Sequence, residues 1–258
     1  MSFTSSALLF AFVLFLGMLL LLEVGRRIAL RQKMKEGDGA SDGFGALGGS
    51  VFALLGLLIA FTFSGAASRF DVRRHLVVEE TNAIGTAYLR LDLLPAQAQA
   101  RLKEGFRQYL DARLEAYRRL PDIAAAREGL ARATTLQGEI WRQAVAALQE
   151  ANNTPATTLL LSALNEMIDI TTTRTMAAEM HPPTIIFLML GGMTLASSLL
   201  AGYGIASIKS GSWIPKLVFA ASLAVAVYVI IDLEYPRLGL IRVEEFDQAL
   251  VELRQSMK

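Results

Sequence analysis

The sequence predicts an all-α integral membrane protein: four transmembrane helices, with a soluble helical bundle inserted between spans two and three. Three observations lead there. Hydrophobic residues make up 53% of the 258 positions, yet the charges are confined to particular segments, as membrane spans joined to a soluble part require. Several uncharged runs are long enough to cross a bilayer core, which takes about 20 residues at 1.5 Å rise. Between them the apolar spacing is helical, with no strand-like alternation. The chain divides into 1–68 (spans one and two with a basic, glycine-rich connection), 69–180 (the bundle), 181–232 (spans three and four) and 233–258 (an amphipathic tail helix).

Ser2 to Leu22 is uncharged and rich in Leu, Phe, Ala and Val. A basic n-region is missing, the apolar run is too long for a signal peptide, and Glu-Val-Gly-Arg-Arg stands where a cleavage site would fall. It is read as a retained first span. Arg26, Arg27, Arg31, Lys33 and Lys35 follow, then a stretch from Glu36 to Gly49 read as a flexible loop. Gly43 to Ser68 carries no charge and passes without a proline into a charged stretch ending near Leu94. The spacing predicts one unbroken helix that starts in lipid near Gly48 and continues as a stalk into water.

The soluble insert is punctuated by Pro95, Pro121 and Asn152 to Pro155, with Thr154 predicted as an N-cap. Its segments carry apolar stripes: Leu102, Phe106, Tyr109, Leu110, Tyr117; then Ile123, Leu130, Ala133, Ile140, Val145, Leu148; then Leu160, Leu164, Met167, Ile168, Thr171. With the stalk they make a four-helix bundle. Pro182 to Ile208 is the third span. Leu217 to Ile231 is a short fourth span, lengthened at the interface by Trp213 and Lys216. The tail repeats Val243, Phe246, Leu250 and Leu253 on one face, to dock on the bundle or on the bilayer surface.

Charge excludes several functions. Lys plus Arg number 25 against 24 Asp plus Glu, and Arg69 to Met180 holds 14 basic and 14 acidic residues, so no nucleic-acid footprint exists. With no cysteine, thiol catalysis and cysteine-ligated metals are out. The sequence lacks a P-loop, a Rossmann glycine pattern, a zinc motif and a nucleophile elbow, and no charge sits within a span to relay protons. The chain is read as no enzyme, with no cofactor and no metal. Basic residues near the span ends number seven on the short-loop side and six on the bundle side, which leaves the side of the bundle undecided.

The second span offers a candidate ion path. Leu55, Leu58, Thr62, Gly65, Arg69 and Arg73 share one helical face. An apolar constriction, a hydroxyl zone and basic rings are what an anion pore needs. Small residues in spans also serve close packing, so Ser64, Ala66 and Ser68 are read as packing or inter-subunit positions. Glu79 and Glu80 are read as inter-subunit ion-pair candidates for Arg73, Arg74 or Arg90. His75 and His181, at the two ends of the insert, make too thin a set for a metal site.

The stretch from Gly56 to Pro95 resembles the bestrophin-like membrane proteins of bacteria. The four-span layout with its helical insert is similar too. So is a D-x-[DE]-x-P-x-x-G element after the last span, here Asp232, Glu234, Pro236 and Gly239. More remotely, Leu57 to Arg74 looks like the second helix of the bestrophin anion channels. That resemblance implies a pentamer with a central pore for small anions lined by span two, a cytosolic bundle, and residence in the bacterial inner membrane. An aromatic-rich neck is missing; Phe61 and Phe63 are nearby but point apart. Two other classes fit the layout. One is a membrane-anchored helical sensor or binding module; the other is a structural assembly protein acting through a partner chain.

Overall fold

The computed structural model describes residues 3–36, 42–120, 122–207 and 213–257. The loop positions 37–41, Pro121, and 208–212 with Lys209 lie outside them. Eight α-helices make up the described chain: α1 (Phe3–Glu36), α2 (Asp42–Arg90), α3 (Ala96–Arg118), α4 (Ile123–Ala151), α5 (Thr154–Glu179), α6 (Thr184–Gly204), α7 (Ile214–Glu234) and α8 (Glu244–Ser256). Four helical stretches are long and apolar enough to cross a membrane: Phe3–Met34, Leu47–Leu93, Thr154–Gly204 and Ile214–Glu234. In the third, the uncharged crossing length is α6.

The chain forms two units, Met1–Ser68 with His181–Tyr235, and Arg69–Met180 with Pro236–Lys258. Helix α2 is unbroken from Asp42 to Arg90 and spans about 74 Å at 1.5 Å per residue. Its start at Asp42 corrects the loop expected up to Gly49. A run of Gly, Ala and Leu next to an apolar span costs less as a helix than as unpaired backbone at a membrane surface.

In the first unit, α1 packs on α6 and α7. Glycine permits the closest approach: a Cβ on Gly25 would stand 2.0 Å from the Leu199 carbonyl oxygen, and one on Gly202 2.0 Å from that of Leu22. The hydroxyls of Thr194 and Ser198, buried in α6, donate to the carbonyls of Leu190 and Thr194 at 2.6 and 2.8 Å, so these polar side chains cost little in lipid. Phe52 of α2 meets Phe219 of α7 edge-on. Helix α7 begins at Ile214, and its 21 residues reach about 31 Å, which resolves the shortness of its apolar run.

In the second unit, the C-terminal half of α2 joins α3, α4, α5 and α8 around a core that includes Ile84, Leu102, Phe106, Leu110, Ile140, Leu160 and Met167. Asp122 caps α4 by accepting from the Ala125 amide at 3.1 Å. Asn152 ends α4 in the left-handed region at φ 45°. The cap of α5 is Asn153, whose side chain accepts from Ala156 N at 3.2 Å; this moves the expected cap back one residue and leaves Thr154 and Pro155 in the first turn. Ile123, expected in the core stripe, is exposed, and the buried stripe of α4 runs Ala126, Ala133, Gln137, Ile140, Ala144. Helix α8 docks on the bundle. Leu250 is fully buried, Leu253 lies against Gly85, and Arg254 grips Asp111 with two bonds of 2.8 and 2.9 Å.

Candidate functional site

Helix α2 divides into an inward and an outward face. Leu55 is 3% exposed, Ala66 0% and Arg73 7%. Leu58, Thr62, Gly65 and Arg69 are half-buried. The stripe picked from sequence as pore-lining is therefore the one most engaged with its own chain. Thr62 turns its hydroxyl back to the Leu58 carbonyl at 2.7 Å, as a hydroxyl in a lipid-immersed helix does. On the outward face, Leu54, Leu57 and Phe61 are 55%, 51% and 68% exposed, and Ser64 and Ser68 are exposed with them. These five fall at spacings of three and four residues and grade from bulky apolar groups to small hydroxyls.

Beyond Ser68, Arg73 donates through Nε to the Ala177 carbonyl at 3.0 Å and through Nη2 to that of Met180 at 2.8 Å. It thereby satisfies carbonyls that the end of α5 leaves open. Arg74 pairs with Asp71 at 3.2 Å and lies 4.4 Å over the Phe246 ring. His75 Nε2 lies 3.1 Å from Glu79 on the exposed face.

Glu80 is fully buried, and its partners are on its own chain: Arg113 at 2.5 Å and Arg174. Arg174 also donates to Asp247 at 3.0 Å, and Arg237 holds the same carboxylate with bonds of 2.7 and 2.9 Å. Three guanidiniums, from Arg113, Arg174 and Arg237, surround the Tyr117 ring at 5.1, 4.2 and 4.4 Å. Arg113 also donates to the Tyr117 hydroxyl. Five segments of the second unit meet there: α2, α3, α5, the stretch before α8, and α8. Burial disfavours the charged form of Arg113, but Tyr117, Glu80 and Tyr109 outweigh it and raise its pKa. Nearby, Gln137 donates to the Tyr109 hydroxyl and to Thr171, both at 3.1 Å. Burial, the largest influence, pushes the Tyr109 phenol up to about 12.

The sequence reading passed over Arg113, Tyr117, Arg174, Arg237 and Asp247 as a group. One signal was available. Arg113 continues the buried stripe Phe106, Tyr109 at helical spacing, and Arg174 continues Met167, Thr171. A charge in register with a core stripe calls for a buried counter-charge, and Glu80 sits in the matching register between Val77 and Ile84.

At the end of α7, Asp232 and Glu234 are fully buried. The Tyr228 hydroxyl donates to Asp232 at 3.1 Å, and Glu234 Oε2 lies 3.7 Å from His181 Nδ1. His181 stacks on Tyr235 at 4.4 Å. Pro236 and Gly239, also buried, give their carbonyls to the Val243 amide and the Arg242 side chain. His75 and His181 thus have different neighbours. Among the described residues no group of three or more His, Cys, Asp or Glu could hold a metal ion.

A bestrophin-like domain model matches residues 12–246. Among solved structures, a bacterial bestrophin homolog from Klebsiella pneumoniae solved by Zn-SAD phasing is 16% identical, with a TM-score of 0.69 over 95% of this chain and 98% of that one. Two point variants of that homolog superpose with TM-scores of 0.70 and 0.71, at 15% and 16% identity, over 95% and 96% of this chain and 98% of theirs. At such identity the likeness is one of fold. No curated protein matches the chain.

Proposed function

The chain belongs to the bestrophin-like family, and from that membership we propose that it works as a homo-oligomeric channel of the bacterial inner membrane, passing small ions along α2. The observation that supports this most is the outward stripe Leu54, Leu57, Phe61, Ser64, Ser68. When copies gather about an axis, such a stripe makes an apolar constriction that gates by dewetting, followed by a hydroxyl-lined widening. The outward face is taken as the lining; the face expected from sequence, Leu55, Leu58, Thr62, Gly65, Arg69 and Arg73, is the alternative that the conductance comparison below decides. Small anions are the proposed cargo on family grounds.

The test is current through planar bilayers containing the purified protein, under a tenfold KCl gradient. Expected are discrete currents whose reversal potential follows chloride, and a higher conductance in Phe61→Ala than in Leu55→Ala at equal incorporation. Silence at all voltages with folded, incorporated protein refutes conduction. A reversal potential that follows potassium refutes the anion assignment alone.

A further inference from the structure

We propose that the extension of α1 beyond its apolar run is a binding site for anionic phospholipid headgroups. The uncharged part of the helix ends at Leu22, yet α1 continues to Glu36. From Glu23 to Met34 it carries one carboxylate, Glu23, against four cations, Arg26, Arg27, Arg31 and Lys33. Glu23 is already shared: it accepts from Arg26 at 2.8 and 3.0 Å, from Arg27 at 3.0 Å, and from Lys216 of α7 at 3.4 Å. Positive charge is therefore in excess along this stretch of α1.

A second observation identifies the partner as a lipid. Interleaved with the cations, Ile28, Leu30 and Met34 are exposed, Met34 by 80%. Water alone penalises that arrangement. A headgroup layer favours it, because apolar side chains enter the acyl boundary while guanidinium and ammonium groups meet phosphate. Ile28, Arg31, Gln32 and Met34 line one shallow depression, so cation and apolar wall face the same space. The neighbouring helices agree. Tyr203 of α6 donates to Gln32 at 2.5 Å, and exposed Trp213 precedes α7, aromatic residues of the type that sits at headgroup level. A basic cluster at the end of a transmembrane helix is suited to acidic headgroups, to which each cation contributes a roughly fivefold gain. The inference is independent of whether the chain conducts.

The experiment uses the full chain, delipidated in a neutral detergent. Native mass spectrometry and thermal unfolding are followed as phosphatidylglycerol, phosphatidylcholine or inorganic phosphate is added. Phosphatidylglycerol is expected to bind and raise the midpoint, and the gain is expected to fall at high salt. In Arg27→Gln/Arg31→Gln/Lys33→Gln its affinity is expected to drop about 100-fold. The control Arg118→Gln/Arg127→Gln/Arg132→Gln, on the bundle, keeps the wild-type response. Should the triple variant misfold, Arg31→Gln alone is expected to lose about fivefold. Equal stabilisation by phosphatidylcholine, an undiminished response in the variants, or full replacement by inorganic phosphate overturns the assignment.

Discussion

Glu79 and Glu80 are adjacent in sequence and opposite in consequence, which makes Glu80→Gln the sharpest test of the ionic cluster. The substitution keeps the volume and removes one charge. In the wild type, Glu80 is fully buried and its two oxygens face Arg113 and Arg174, themselves 1% and 7% exposed. The variant leaves two guanidiniums in the core with Asp247 as the remaining carboxylate. Breaking one partner of a buried pair costs about 3–5 kcal/mol, against roughly 5–15 kcal/mol for a whole domain. Glu79→Gln removes an exposed contact to His75 worth less than about 1 kcal/mol. Both variants are purified in detergent and unfolded thermally, with the fluorescence of Trp141, half-buried in the bundle core, as the local signal. The expected result is a fall of many degrees for Glu80→Gln and almost none for Glu79→Gln. Equal midpoints would refute the claim that this cluster holds the second unit together.

Three further outcomes are expected. Gly25→Ala lowers the thermal midpoint of the full chain strongly, because its Cβ would meet the Leu199 backbone, while Gly49→Ala, where a Cβ meets nothing within 4 Å, leaves it within experimental error. Bundle stability falls as pH rises: Tyr109 ionises near pH 10 unfolded but near 12 folded, so its contribution of up to about 3 kcal/mol is fully present below pH 10 and lost by about pH 12. Tyr117, raised by burial, acts in the same direction, and Tyr109→Phe flattens part of the decline in a pH series of urea unfolding. Asp247→Asn weakens the tail: it keeps the shape but loses the charge held by Arg174 and Arg237, so α8 exchanges amide hydrogens faster than α4.

Where the sequence was readable, hydrophobic length and period did the work. The unbroken α2, the four crossing helices and the core stripes of α3 and α5 follow from runs without proline and from apolar residues every three or four positions. What stayed hidden was rotational phase. Leu55 and Leu54, or Ala66 and Ser64, are similar in composition, and only the packing of neighbouring helices decides which of them is covered. A stripe drawn through Leu55, Thr62 and Arg73 is as regular as one drawn through Leu54, Phe61 and Ser68, because both obey the same period. The helix boundaries failed for a different reason. Asn153 and Thr154 are both competent caps, and the choice between them depends on which side chain reaches the Ala156 amide.

The same phase argument bears on the arginines. Read along the chain, Arg69, Arg73 and Arg74 follow an apolar span as a basic mouth would, and composition alone treats them as one ring. Each is drawn to different chemistry once neighbours exist. Arg73 meets two carbonyls at the end of α5, where a cation completes the open backbone acceptors. Arg74 is matched by Asp71 and covers Phe246. Arginine here is mainly a fastener of the bundle, as in the cluster around Tyr117, and selectivity in the proposed channel rests on fewer charges than the sequence displays. Any basic ring must therefore be sought at positions where burial and carbonyl partners leave the guanidinium free to turn outward.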